Sequence, residues 1–106
     1  MVKKKAGIIW DDEAKRSLRN IYNYIKNQES PDVAGKVIKE IADQAKLLND
    51  FPNKFEQELR LKGESGNFRY KVVWSYKIIY EVTPEMIHIL DIFHTSRDPS
   101  NIKKRK

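Results

Sequence analysis

The residues from Asn67 to Pro99 constrain the fold of this chain most, because their apolar side chains alternate with polar ones at the period of a β-strand. The alternation predicts three short strands, which run from Phe68 to Trp74, from Lys77 to Val82 and from Met86 to His94. The connection at Trp74-Ser75 lacks the Asn-Gly or Asp-Gly that favours a two-residue hairpin turn. The register between the first two of these strands therefore stays open, and a one-residue slip would exchange their faces.

The residues before this stretch predict one further strand and two amphipathic helices. Ala6 to Trp10 is a short apolar run, and Asp11-Asp12 after it is an N-cap signal, since a carboxylate can accept the free N–H groups of a helix start. Ser30-Pro31 marks a second helix start, with Ser as the cap and Pro at the first helical position. The apolar positions at helical spacing are Ala14, Leu18, Ile21, Tyr22 and Ile25 in the first helix and Ala34, Val37, Ile38, Ile41, Ala45 and Leu48 in the second.

These elements predict an α+β fold. A linker of about four residues favours an antiparallel hairpin of the two helices, and the residues from Asn49 to Pro52 end the second helix. Asn53 to Asn67 reads as a loop with a possible short strand at Leu59 to Leu61. The expected architecture is an N-terminal strand, the helix hairpin and a three-stranded antiparallel meander, with the helices on one face of the sheet. We expect one domain over residues 1–106, with basic tails at residues 1–5 and 102–106.

The net charge of +6 belongs to these tails. They hold seven of the 21 basic residues, which leaves 14 basic against 15 acidic residues in the body of the chain. An isoelectric point near 9.5 is therefore no argument for nucleic-acid binding by the body itself. Such an argument has to come from individual cations.

Several classes of site are excluded by the residues present. The chain has no cysteine, so it has no disulfide or thiolate site. His88 and His94 on one strand would lie about 20 Å apart, too far to share a metal ion. Gly63 and Gly66 do not form a phosphate-binding motif. These absences predict no cofactor and no metal. No apolar run is long enough to span a membrane, which predicts a cytoplasmic protein.

A set of cations on or beside the sheet remains as candidate chemistry. Cations on a face free of helices can hold phosphate oxygens, and a neighbouring His, Tyr or carboxylate would allow scission of RNA by its 2′-OH. The alternative is that Lys71 and Lys77 are ordinary solvated strand residues. The set comprises Arg60, Lys62, Arg69, Lys71, Lys77 and Arg97, with Tyr80, His94 and Asp98 nearby.

The end of the last strand is the second candidate. His94 and Arg97 lie where a sheet passes into a loop, and functional residues concentrate at such places. The alternative is structural: Arg97 would pair with Asp98 or Asp91, and His94 would cap the sheet edge. For His88, among Ile and Leu in mid-strand, we expect a structural role.

Seven local patterns along the chain resemble a known family. With the order of one strand, a helix hairpin and three strands, they resemble the RelE/ParE superfamily of type II toxin-antitoxin toxins. The patterns are Trp10 to Ala14, Tyr22-x-x-Ile25, Ser30-Pro31-x-x-Ala34, Leu48 to Pro52, Phe68 to Val72, Tyr76 to Val82, and His94-x-x-Arg97-x-Pro99.

The resemblance implies a toxin held inactive by a cognate antitoxin, which wraps it with an extended segment or a helix. The complex would repress its own operon, so that operator DNA is contacted only through the antitoxin complex. RelE-type members cut mRNA in the ribosomal A site, and ParE-type members poison DNA gyrase. The basic residues of the RelE-like pattern match Arg60, Lys62, Lys77 and Arg97 in this sequence.

Two departures from the RelE-like pattern favour the ParE side. No tyrosine follows Tyr80, and position 77 is Lys where an arginine is usual. A lysine lacks the bidentate fork that grips a phosphate. We therefore expect a ParE-like toxin that binds a target such as gyrase, through Arg69, His94 and Arg97. The alternatives are a ribosome-dependent mRNA endonuclease and a degenerate member that retains only antitoxin binding.

Overall fold

The computed structural model describes residues 7–50, 52, 54, 55, 57 and 65–97, with only the backbone of Arg97. Within these residues, four strands, two helices and two short 3-10 turns follow one another. They are β1 (Gly7–Trp10), α1 (Asp12–Gln28), α2 (Pro31–Lys46), a turn at Leu47–Asn49, β2 (Asn67–Val73), β3 (Tyr76–Val82), β4 (Met86–His94) and a turn at Thr95–Arg97. The predicted strand at Leu59 to Leu61, Arg60, Lys62, Asp98 and both basic tails lie outside the described residues.

The four strands form one sheet in the order β1-β4-β3-β2. The pairs β2–β3 and β3–β4 are antiparallel, whereas β1 runs parallel to β4, with Trp10 opposite Ile89. The α+β fold predicted from the sequence is confirmed. The sequence did not indicate that the first and last strands are neighbours. Because β1 pairs with β4, β4 is an inner strand, and β1 and β2 are the edge strands of the sheet.

The two helix starts differ in how they are capped. Asp11 occupies the N-cap position of α1, but its side chain makes no capping hydrogen bond, so the predicted carboxylate cap is wrong in that detail. Asp12 and Glu13 still place negative charge in the first turn, where the helix dipole favours it. At α2 the prediction is confirmed, since the Ser30 hydroxyl accepts a hydrogen bond from the Val33 N–H at 3.1 Å.

A two-residue turn at Trp74-Ser75 fixes the register between β2 and β3. Val73 pairs with Tyr76, and Trp74 takes a positive φ of 54° in place of the usual glycine. The register puts Lys71 opposite Ile78 and Arg69 opposite Tyr80. Directly opposite residues share a face of the sheet, so Arg69 and Lys71 lie on the helix side. The expectation that these cations project from a face free of helices is wrong.

The hydrophobic core lies between the helix hairpin and the sheet. Helices contribute Ala14, Ile41, Ala45 and Leu48, and strands contribute Val73, Ile78, Tyr80, Ile87, Ile89 and Ile92. The prediction that the helices cover one face of the sheet is confirmed by this cluster. Within the described part of the chain, no helix combines the length and the hydropathy of a bilayer-spanning segment.

Candidate functional site

A groove of about 610 Å³ lies between α1 and the C-terminal end of β4. We call it the binding groove. Along α1 its lining residues recur at helical spacing and so share one face of the helix. They are Ser17, Asn20, Ile21, Tyr24, Ile25, Gln28 and Glu29. The sheet side consists of Tyr76, Asp91, Ile92, Phe93 and His94, and Ser96 follows from the 3-10 turn.

Asp91 joins the two walls of the binding groove. Its Oδ1 atom accepts hydrogen bonds from the Ser17 hydroxyl at 2.6 Å and from the Ile92 N–H at 2.8 Å. Strict alternation would put Asp91 and Ile92 on opposite faces of the sheet, yet both line the groove. The register shifts here, because Ile79 pairs with Asp91 and Tyr80 with Ile89, which leaves Leu90 as the extra residue of a β-bulge. A bulge changes the direction of neighbouring side chains, and this one accounts for the contact of Asp91 with α1.

Aromatic rings form the wall beside Asp91. Tyr76 and His94 meet edge to face, with ring centroids 5.4 Å apart and an interplanar angle of 84°. Burial raises the pKa of the Tyr76 hydroxyl, and the nearby Tyr24 adds to this rise. Tyr24 stays 60% exposed at the mouth of the groove. The rings thus offer apolar area and π-faces to an occupant.

His94 is oriented by the turn that follows it. Its Nδ1 atom accepts a hydrogen bond from the Ser96 N–H at 3.1 Å and lies 2.8 Å from the Ser96 hydroxyl oxygen. An Nδ1 that accepts a backbone N–H carries no proton, so the neutral ring holds its proton on Nε2. His94 therefore lies at the end of a strand, as predicted. Its ring is held by Ser96, with Nε2 as a hydrogen-bond donor.

The charge of the binding groove is opposite to that of the chain. Asp91 and Glu29 line it, and none of its described lining residues is a lysine or an arginine. The chain as a whole carries a net charge of +6. The groove is therefore a local negative region, suited to an occupant that combines positive charge with apolar groups.

Lys77 does not have the environment predicted for it. Its residue is only 5% exposed, and its Nζ lies 4.2 Å from the centroid of the Tyr70 ring. The expectation of an ordinary solvated strand residue is wrong, because β3 is an inner strand and its neighbours cover the long side chain. The cation–π contact with Tyr70 is typical of a packed lysine.

Arg69 and Lys71 serve packing on the helix side of β2. Arg69 donates from Nη1 to the Phe55 carbonyl at 2.6 Å and from Nε to Asn67 Oδ1 at 3.0 Å. Lys71 donates to the Gln44 side-chain oxygen and lies 4.8 Å from the Phe55 ring centroid. Burial and then the nearby Lys54 lower the pKa of Lys71. The expectation of a solvated Lys71 is therefore wrong as well.

Tyr80 lies in the core and has no exposed surface. Its hydroxyl is 3.4 Å from the Pro52 carbonyl, and burial raises its pKa to about 12, although Arg69 opposes the rise. Tyr76 of the same strand contacts His94, and four residues along a strand span about 13 Å. The structure therefore separates the Arg69–Tyr80 pair from His94, and the candidate residues do not form one cluster.

Arg97 and His88 are the remaining candidate residues. Arg97 ends the 3-10 turn after β4, so its backbone lies beside the binding groove, and its proposed role stays a prediction. His88 is half-buried, with Nδ1 3.9 Å from Asp11 Oδ1. Among the described residues, no cluster of three or more His, Asp or Glu side chains is placed to hold a metal ion.

Most of the binding groove was not predicted from the sequence. Ser17, Tyr24 and Tyr76 were not singled out, and Asp91 was considered only as a partner of Arg97. One face of the first helix could have been predicted, because four residues recur there at spacings of four, three and four: Ser17, Ile21, Tyr24 and Gln28. No sequence pattern indicates the bulge that turns Asp91 toward α1.

The family model for the ParE toxin of type II toxin-antitoxin systems (parDE) matches residues 8–99. The chain belongs to the ParE toxin family. The ParE-like identification made from the sequence is thereby confirmed, and this ParE-family chain is the toxin component of a type II module.

Solved structures agree with the fold of this ParE-family toxin. A protein titled "Chromosomal ParDE TA system from P. aeruginosa" has a TM-score of 0.72 and 23% sequence identity to it. The match covers 85% of this chain and 96% of that one. At this identity the likeness shows a shared fold. None of the curated proteins compared with the chain matches it.

Proposed function

We propose that this ParE-family toxin inhibits growth by binding DNA gyrase and that a cognate antitoxin neutralises it. The observation that carries the proposal is the binding groove beside α1, together with membership of the ParE family. The groove offers exposed aromatic area at Tyr24, a fixed donor at His94 Nε2 and a carboxylate at Asp91. These groups suit recognition of another protein rather than bond cleavage.

The described cations favour a binding protein over a ribosome-dependent nuclease. Phosphoryl chemistry on RNA needs cations that reach the phosphate and a group that moves a proton. Lys77 is covered and stacked on Tyr70, Arg69 is engaged by the Phe55 carbonyl, and Tyr80 is buried. Arg97 and His94 at the end of β4 are proposed to contact the target instead.

A supercoiling assay tests the gyrase proposal. Purified toxin added to gyrase and relaxed plasmid should stop supercoiling or accumulate cleaved DNA complexes. Tyr24→Ala and His94→Ala, on opposite walls of the groove, should weaken the inhibition. Leu47→Ala is the matched control, since Leu47 is 52% exposed and does not line the groove. Full gyrase activity at saturating toxin would overturn the proposal.

Two further assays separate the alternatives. Translating ribosomes incubated with the toxin should leave mRNA intact, and cuts at A-site codons that are lost in Arg97→Ala or Lys77→Ala would establish the nuclease instead. Expression of the chain alone should arrest bacterial growth, and co-expression of the product of an adjacent short reading frame should restore it. Harmless expression would leave a degenerate member that retains only antitoxin binding.

A further inference from the structure

We propose that Trp74 is an anchor that inserts its indole ring into an apolar pocket of the toxin's protein target. Residues 72–75, which we call the hairpin tip, join β2 to β3. The contact extends the target-binding surface from the binding groove onto the hairpin tip, so that one partner covers both. It rests on the proposed function, because it assigns a further residue to the surface that binds the target.

The backbone of Trp74 has a conformation that tryptophan rarely adopts. Its φ of 54° lies in the left-handed region, where a bulky side chain is strained and glycine is not. Among the described residues, it is the one residue other than glycine with a positive φ. Strained residues concentrate at functional sites, where the surrounding structure holds them in place. A partner that binds the indole would account for a tryptophan at this position.

The indole of Trp74 contributes little to the packing of the fold. The residue is 60% exposed, whereas Trp10, the other tryptophan of the chain, packs against the hydrophobic core. Val72 is 49% exposed, so the hairpin tip presents two large apolar side chains to solvent. Exposed apolar groups gain stabilisation only when a partner removes them from water. Packing within the described chain therefore does not explain the tryptophan.

The hairpin tip is fixed to the end of the binding groove. The Ser75 carbonyl accepts a hydrogen bond from the Thr95 N–H at 2.7 Å, and Ser96, the next residue, lines the groove. Tyr76 lines it as well, and its Cα atom lies within about 7 Å of that of Trp74, two residues away. A protein that fills this end of the groove therefore meets the hairpin tip. A tip that is already held in place loses little conformational freedom on binding.

The chemistry of the hairpin tip fits a protein pocket. Tryptophan is enriched among the residues that dominate the affinity of protein interfaces, where its ring fills a dry pocket. A nucleic acid would be held through cations that reach its phosphates. The two lysines near the tip have other contacts, since Lys77 is 5% exposed against the Tyr70 ring and Lys71 donates to Gln44. The tip offers apolar area instead of positive charge.

Trp74→Gly tests the anchor, because glycine removes the indole and relieves the backbone. Purified Trp74→Gly should need at least about tenfold more protein than the unsubstituted chain for half-maximal inhibition of supercoiling. Expressed without antitoxin at matched protein levels, it should no longer arrest bacterial growth. Trp74→Asn, which also tolerates the left-handed region, should behave like Trp74→Gly. Circular dichroism should show both variants folded.

Two further variants separate the side chain from the backbone. Trp74→Phe keeps a ring and keeps the strain, so it should recover part of the inhibition that Trp74→Gly loses. Leu47→Ala shortens a side chain that is 52% exposed and lies outside both the groove and the hairpin tip, and it should inhibit as the unsubstituted chain does. A Trp74→Phe variant as weak as Trp74→Gly would show that the turn needs no aromatic ring and would overturn the inference.

Growth arrest keeps this inference distinct from the gyrase proposal. If the unsubstituted chain arrests growth while gyrase stays fully active, the gyrase proposal is wrong, and loss of arrest in Trp74→Gly still supports the anchor. Arrest by Trp74→Gly and Trp74→Asn at the level of the unsubstituted chain would overturn the anchor for any target. Arrest by Trp74→Gly that the antitoxin no longer neutralises would also overturn it, since the antitoxin would then be the partner of the hairpin tip.

Discussion

Ser17 and Asp91 are joined by a hydrogen bond of 2.6 Å across 74 positions of the sequence, and this bond fixes α1 to β4. The same carboxylate oxygen accepts the Ile92 N–H, so one atom orders both the helix and the strand beside the binding groove. The two walls of the groove are joined at this contact.

Removal of the Ser17–Asp91 contact should destabilise the fold. Ser17→Ala is expected to lower the free energy of unfolding by about 1 to 2 kcal/mol, since a hydrogen bond to a charged acceptor is lost. A urea denaturation cycle with Asp91→Ala, which removes the acceptor, and the double variant should give a coupling energy of at least about 0.5 kcal/mol. Ser65→Ala, at an exposed position, is the control. A coupling energy of zero would show that the bond does not link the two elements.

The Ser30 cap of α2 makes a separate contribution. Ser30→Ala removes the acceptor of the Val33 N–H and should cost about 1 kcal/mol of stability. Ser30→Asp restores an acceptor and should recover most of this loss. The melting temperatures of the three proteins, measured by circular dichroism, check the order. An alanine variant as stable as the aspartate variant contradicts the prediction.

The backbone at Trp74 should prefer glycine over alanine. With a φ of 54°, a residue with a Cβ atom is strained, and glycine is not. Trp74→Gly should therefore be about 1 kcal/mol more stable than Trp74→Ala. Both variants lose the indole, so their difference in urea unfolding isolates the backbone. The reverse order of stability would show that the turn relaxes to another conformation.

Tyr80 should make the stability depend on alkaline pH. Its pKa in the fold is about 12, against an ordinary value of 10.0. The folded state holds the proton more tightly, so the stabilisation is complete below pH 10 and is lost as the pH rises towards 12. From the pKa difference, this loss amounts to roughly 3 kcal/mol.

Tyr80→Phe should remove that part of the alkaline loss. Unfolding free energies of both proteins at pH 7, 9 and 11 check it, and the values at pH 7 and 9 serve as the control, because Tyr80 is protonated there in both states. Parallel pH profiles for the two proteins would mean that the Tyr80 hydroxyl ionises as it does in water.

The sequence was sufficient for the elements of the fold, because each has a local cause. Apolar side chains at the helical period gave α1 and α2, alternation gave the strands, and Ser30-Pro31 gave the start of α2. The parallel pairing of β1 with β4 joins opposite ends of the chain and leaves no local pattern. The alternation of Lys77 with apolar residues indicated that its side chain is exposed. The side chain is buried because β3 is an inner strand, which no local pattern shows.

The candidate site was predicted in part. His94 was placed correctly at the end of the last strand, since the polar residues after it mark that end. Asp91 was missed as a groove residue because its orientation depends on the bulge at Leu90. Trp74 gave no turn signal, since a tryptophan with positive φ is rare.

The position of β4 in the sheet also bears on when the protein becomes toxic during its synthesis. β4 pairs with both β1 and β3, and it forms one wall of the groove. Until translation passes His94, the first strand made has no partner and α1 has no opposite wall. Contacts between distant parts of a chain form late. We expect nascent chains that end before Met86 to be digested quickly by protease, so that interrupted translation yields fragments without the binding groove.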